Sequence, residues 1–289
     1  MSSIIDDLKF QYKIGGIANK MIYWNVGFFL LSIPFFYQFK LGFFDFPNWL
    51  AVSSNPNDWI TKPWTLLSYA FFHYGFMHIF FNMLVLNFSS RLFLTFFTQK
   101  QYLGLYFLSA IFAGLCFVLS FYILNKNASM VGASGAIMAL LVATTTYQPL
   151  MEVRLLLIGN VKLWHITAVL IVLDLLQIQV ANTGGHIAHL SGAFFGFLYI
   201  RLLQNGTDLS RIVTTVINFF TPLFGPKKKS PFKKVHVTPK RPTQKKVGSS
   251  IVIKDKTQQQ IDDILDKISQ SGYDSLTAEE KEFLFKAGK

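Results

Sequence analysis

The chain has 289 residues, of which 52% are hydrophobic and only 15% charged, and it carries a formal net charge of +12. Soluble domains run near 25% charged residues, so an ordinary soluble enzyme is excluded, and several stretches reach the roughly 20 apolar residues that a helix needs to cross hydrocarbon. The basic excess is a topology signal rather than a nucleic-acid footprint, and the single cysteine, Cys116, excludes an intramolecular disulfide.

Residues 1–20 contain no apolar stretch resembling a signal peptide. They form an N-terminal segment, and the first spanning helix is expected to act as its own insertion signal. Six spans are expected, at about 21–39, 71–97, 101–124, 132–147, 163–180 and 185–204. Lys9, Lys13 and Lys20 precede the first span, and Arg91 and Lys100 follow the second. Arg154 and Lys162 flank the 148–162 turn, and Arg201 and Arg211 follow the sixth span. That bias puts both termini in the cytoplasm.

The loop 42–64 is rich in aromatics. Phe43, Phe44, Phe46, Trp49, Trp59 and Trp64 suit the membrane–water interface, so a half-embedded loop is expected there. The fold class is therefore an all-α polytopic membrane protein, a six-helix bundle over 21–205. Residues 206–225 can form an amphipathic interfacial helix. Residues 226–254 combine lysines and prolines without an acid, the composition of a disordered linker that can also touch anionic lipid. Residues 255–289 read as two short helices. Ile261, Ile264, Leu265 and Ile268 recur at helical spacing, Gly272 breaks the pattern, and Ser275 or Thr277 can cap a second helix begun by Glu279 and Glu280.

Polar groups inside spans are costly and mark function. Here His78 and Asn82 lie one turn apart near the outer start of the second span, Ser134 opens the fourth, and His186 and His189 open the sixth. All five fall in the outward half of the bundle. Gly135, Ala139 and Ala143 make a small face on the fourth span, and Gly192 and Gly196 make a GxxxG on the sixth. Such faces bring membrane helices close and set Ser134 opposite the histidine three residues before Gly192. A serine beside an imidazole is the minimal acyl-transfer pair. His78, Asn82 and the backbone N–H of Ser134 can supply donors to the oxyanion. Asp174 is the only carboxylate inside a span, and nothing in the sequence aims it at a histidine, so a Ser–His dyad is expected. A metal cluster of His78, His186 and His189 would lack a cysteine or carboxylate, and neither metal nor other cofactor is expected.

Three short motifs carry a family resemblance: "HIFFN" at 78–82, "GASG" at 132–135 and "AHLSGAFFG" at 188–196. In order and spacing they resemble the HxxxN, GxSG and AHxxGxxxG signatures of the rhomboid intramembrane serine proteases, over about residues 20–205. The resemblance implies Ser134 as nucleophile, His189 as base, and His78 and Asn82 as oxyanion donors. It selects His189 over His186 by register with Gly192. It also makes His73, His186, Gly132 and Met138 candidates to line the cavity, and implies a multi-pass protein of a bacterial inner membrane. Three positions depart from the pattern: Trp64-Thr65 stands where Trp-Arg is frequent, Leu94 where a glutamate is usual, and Met138 where an aromatic can stack on the base. The C-terminal helical pair resembles an appendage of rhomboids from Bacteroidetes-type bacteria.

The expected activity is endopeptidase cleavage in or near spanning segments of other membrane proteins, within the lipid bilayer. The rival expectations are an inert rhomboid-like binder of transmembrane helices, which has no reason to keep both Ser134 and His189, and a transporter, whose paired halves are not seen.

Overall fold

The computed structural model of the chain describes residues 3–155, 158–224 and 256–287. It contains two compact units, one within residues 1–227 and one within 228–289. The expected linker, 226–254, lies outside the described residues.

In the first unit, Ser3 and Asp6 close a reciprocal cap on α1 (Ile4–Ile14). α2 (Gly16–Phe36) follows. The aromatic loop is then built from several small pieces. Tyr37–Gln38 pairs with Phe43–Phe44, and Asn55 caps α3 (Pro56–Thr61). α4 (Thr65–Ser68) runs into a 3₁₀ turn at Tyr69–Phe71. Phe44 and Phe46 are buried and stacked, with ring centroids 5.4 Å apart, while Trp49 and Trp64 stay exposed. Val52–Ser53 pairs antiparallel with Ser129–Met130, which ties this loop to the chain just before Ser134.

α5 (Phe76–Phe96) starts five residues later than the apolar run, because Phe72 is extended. Thr98 and Gln101 cap α6 (Gln99–Ile123) reciprocally. α7 (Ser134–Tyr147) leads to a hairpin pairing Glu152–Leu155 with Gly159–Lys162. α8 (Leu163–Gln177) and α9 (Thr183–Gln204) follow. Between them Asn182, at φ 49°, accepts a hydrogen bond from the Gly185 N–H and starts α9. Among the described residues α5, α6 and α9 are long and apolar enough to cross a membrane, and α7 and α8 are apolar but shorter. α2 has the length, but Asn19, Lys20, Asn25 and Pro34 dilute its apolarity. The chain is thus a helical membrane bundle.

α7 is the hub, buried continuously from Gly135 to Thr144 and packed against α5, α6 and α9. Its closest partner is α9. A Cβ on Gly192 would collide with the carbonyl of Gly135, and one on Gly196 with the carbonyl of Ala139. The two small faces therefore touch backbone to backbone, as close helix crossings require. α10 (Ser210–Phe224) packs on α6 with Ser210 against Gly104. It leaves Ile212, Val216, Phe219 and Phe220 exposed.

The second unit contains α11 (Lys256–Ser271) and α12 (Ala278–Ala287), joined through Gly272 at φ 79°. Thr277 is the residue that caps α12, exchanging hydrogen bonds with Glu280. Lys267 on α11 meets both oxygens of Glu280 at 2.9 Å, which holds that carboxyl below its ordinary range.

Candidate active site

The segment before Ser134 is fixed at both edges. Ser54 Oγ accepts from the Ala128 N–H at 2.9 Å, Ser54 N–H donates to the Ala128 carbonyl at 2.9 Å, and Gly132 N–H donates to the Tyr69 carbonyl at 2.9 Å. Gly132 sits at φ 141°, where a side chain is strained. A Cβ there would also lie 3.0 Å from His78 Cε1 and 3.7 Å from Ser134 Oγ. Glycine is thus required twice over, for conformation and for space beside the hydroxyl. Ser134 is the first residue of α7, and the first bond into that helix runs from Ile137 N–H to the Ala133 carbonyl. The N–H groups of Ser134, Gly135 and Ala136 consequently precede the ladder and sit at the positive end of the helix dipole. Among the described residues Ser134 Oγ makes no hydrogen bond, and it faces a cavity.

His78 and Asn82 share one face of α5. Asn82 Nδ2 donates to the His78 carbonyl at 2.9 Å, which commits one amide hydrogen and leaves the other. The Tyr74 N–H approaches His78 Nδ1 at 3.4 Å. Nδ1 therefore accepts, and in the neutral ring the proton sits on Nε2. Nε2 would lie 3.1 Å from a Cβ on Gly132, so this donor faces the serine loop.

On α9, the Gly135–Gly192 contact and the approach of Gly135 to the Ala188 carbonyl (3.1 Å from a notional Cβ) bring Ser134 and His189 into one neighbourhood. Behind the histidine the structure corrects the sequence-based expectation. Asp174 on α8 is aimed at histidine after all: its Oδ1 lies 2.8 Å from His189 Nδ1 and 2.7 Å from His186 Nδ1. The physical reason is the short 178–182 turn, which folds α8 back antiparallel on α9 and sets a residue one turn before the end of one helix beside the first turns of the other. A carboxylate thus does join the histidines, and the three donor atoms lie within 4.8 Å of one another. Spacings of 2.7–2.8 Å are nevertheless those of hydrogen bonds. A tetrahedral zinc with bonds near 2.0–2.1 Å would hold its ligand atoms roughly 3.3 Å apart.

One cavity of about 810 Å³ collects these groups, lined by His78, Asn82, Gly132, Ser134, Met138, Asp174 and His189 among others. Two expected lining residues are placed elsewhere. His73 precedes α5 and is turned fully inward, its ring 5.0 Å from that of His78. His186 stands behind His189, edge-on with ring centroids 5.9 Å apart. Sequence reasoning missed Asp174 as a site residue and also missed Tyr74. The Tyr74 hydroxyl reaches the Ser129 carbonyl at 3.3 Å, and its ring lines the cavity. A spanning carboxylate needs a partner, and the only candidates near the adjoining turn were His186 and His189, so the first signal was available.

A helical membrane bundle thus gathers serine, histidine, asparagine and aspartate around one cavity among its apolar helices, which defines the class: a polytopic membrane protein with a polar internal site. The Rhomboid domain family matches residues 61–205, half of the chain. The chain belongs to the rhomboid family, whose members are generally intramembrane serine proteases. Residues 252–286 match a second family, described as a family of unknown function (DUF6576). No curated protein matches the chain.

Proposed function

We propose that this protein is an intramembrane serine endopeptidase that cleaves peptide bonds in or near transmembrane segments of other membrane proteins. The observation that carries this reading is the convergence of His78 and Asn82 from α5, Ser134 from α7 and His189 from α9 on one cavity. Ser134 Oγ attacks the substrate carbonyl carbon as its proton passes to His189 Nε2, and the carbonyl π electrons move onto oxygen. His78 Nε2–H, the free amide hydrogen of Asn82 and the Ser134 N–H stabilise that oxyanion. His189 then gives its proton to the departing amine as the C–N bond breaks, and water releases the acyl group by the reverse sequence. Ser134 and His189 draw together when substrate binds, as catalytic hydrogen bonds often do.

In this reading α2 and the shorter apolar helices α7 and α8 complete six spans, with both termini cytoplasmic. The cavity opens to the outer side of a bacterial inner membrane, the aromatic loop lies partly in the bilayer, and α10 rests at its cytoplasmic interface. A substrate helix must unwind locally to expose a peptide bond, so small and helix-breaking residues favour cleavage.

The test is covalent labelling of the purified protein by a fluorophosphonate. Ser134→Ala and His189→Ala, with wild-type melting, are expected to lose labelling by at least about 10⁴-fold. Equal labelling of Ser134→Ala would end the proposal.

A further inference from the structure

We infer that Asp174 is a positioning residue for His189, so that the site works as a Ser134–His189–Asp174 triad in which His186 holds the carboxylate in place. The inference rests on the proposed protease function and deepens it. Asp174 is buried, 7% exposed, on a spanning helix that offers it no basic neighbour of its own. A carboxylate in such surroundings persists only when its charge is partnered. Two imidazoles satisfy it, both through Nδ1 and both at the same oxygen, Oδ1.

That geometry fixes protonation. An ionised carboxylate only accepts, so each histidine carries its proton on Nδ1 and presents Nε2 as a lone pair. For His189, which lines the cavity with Ser134, this is the tautomer that can take the serine proton. As the proton arrives, the ring becomes an imidazolium with a negative charge already at 2.8 Å on its far side. The carboxylate keeps its own charge state and no proton crosses to it.

His186 has a separate job. It sits one turn earlier on α9, outside the cavity lining, with its ring edge-on to that of His189. By occupying the same oxygen it pins the Asp174 rotamer, and the edge contact limits rotation of the base. His186 is the only ring paired with His189 among the described residues, and the nearby cavity wall at Met138 is aliphatic. The base is thus oriented from behind, by a carboxylate and a second imidazole, rather than by an aromatic face in the cavity.

The experiment combines labelling rates with ¹⁵N-histidine NMR on the full-length protein in detergent micelles. In the wild type, His189 is expected as the Nδ1–H tautomer. Asp174→Ala is expected to slow fluorophosphonate labelling about 10²–10⁴-fold, to leave the affinity of a non-covalent peptide within about threefold, and to redistribute the proton toward Nε2. Asp174→Asn keeps size and an acceptor oxygen, guards against a folding failure of the alanine variant, and is expected to lose about tenfold or more. Asp174→Glu is expected to recover part of the rate. His186→Ala is expected to lose less than about tenfold, while His189→Ala loses everything. A labelling rate within threefold of wild type in both Asp174→Ala and Asp174→Asn, or an unchanged His189 tautomer in Asp174→Ala, overturns the inference. So does an equal loss in His186→Ala and His189→Ala. The tautomer is read without turnover, so a protein that never labels Ser134 defeats the protease proposal while the NMR still decides the role of Asp174.

Discussion

At the scale of single residues, most of the site hangs on positions where one atom more or less changes the chemistry. Gly132 is the sharpest case. Its φ of 141° strains any side chain, and a methyl group there would press on His78 Cε1 at 3.0 Å. Gly132→Ala is therefore expected to displace the His78 donor and to cut the labelling rate of Ser134 by about 10²-fold, the usual cost of losing one oxyanion donor. Melting should fall by only a few degrees, because the added group meets a side chain and not the packed face of α7. Rate and melting temperature, measured together, separate the two effects. The motif residues His78, Asn82, Ser134 and His189 were legible because each is a polar group in an apolar span. Asp174 was equally anomalous, yet its partners lie 12 and 15 residues ahead across a turn. Its need for a partner pointed to the two histidines beyond the turn, but only the path of α8 into α9 shows that both meet it through Nδ1.

Elements set the tolerances that these residues need. The α7–α9 contact is made backbone to backbone, with Gly135 against Gly192 and Ala139 against Gly196. Gly192→Ala is expected to cost about 1–3 kcal/mol, as overpacking does, and to slow labelling at least tenfold, since the helices part next to Ser134 and His189. Gly196→Ala, one turn further from the site, should lose similar stability with a smaller loss of rate. Thermal midpoints and labelling rates of the two variants check this directly. The small-residue spacing made this contact legible from the sequence. The pairing of Val52–Ser53 with Ser129–Met130 was not legible, because two-residue strands carry no periodicity. The same holds for the start of α5, where an unbroken apolar run conceals an extended segment at Phe72.

Across the whole molecule, a rhomboid membrane unit shares its chain with a second unit whose residues 252–286 match a family of unknown function. The distribution of Lys and Arg predicts that both ends lie on the cytoplasmic side. A green fluorescent protein fused after residue 289 is expected to fluoresce and a periplasmic phosphatase fused there to stay inactive; the opposite pattern would invert the topology. Helix content and the bundle's general form followed from composition and hydropathy. The number of crossings is harder to obtain, because α7 and α8, at 14 and 15 residues, fall short of a full span.

The shortness of α7 has its own consequence. Fourteen helical residues rise about 21 Å, against roughly 30 Å of hydrocarbon, so in the proposed six-span topology a hydroxyl carried on the first residue is expected below the membrane surface rather than at it. Under the proposed function, a substrate is expected to send a frayed strand down to that hydroxyl. The proposed protease is therefore expected to spare a firmly wound helix however well its sequence matches, selecting for mechanical softness before sequence.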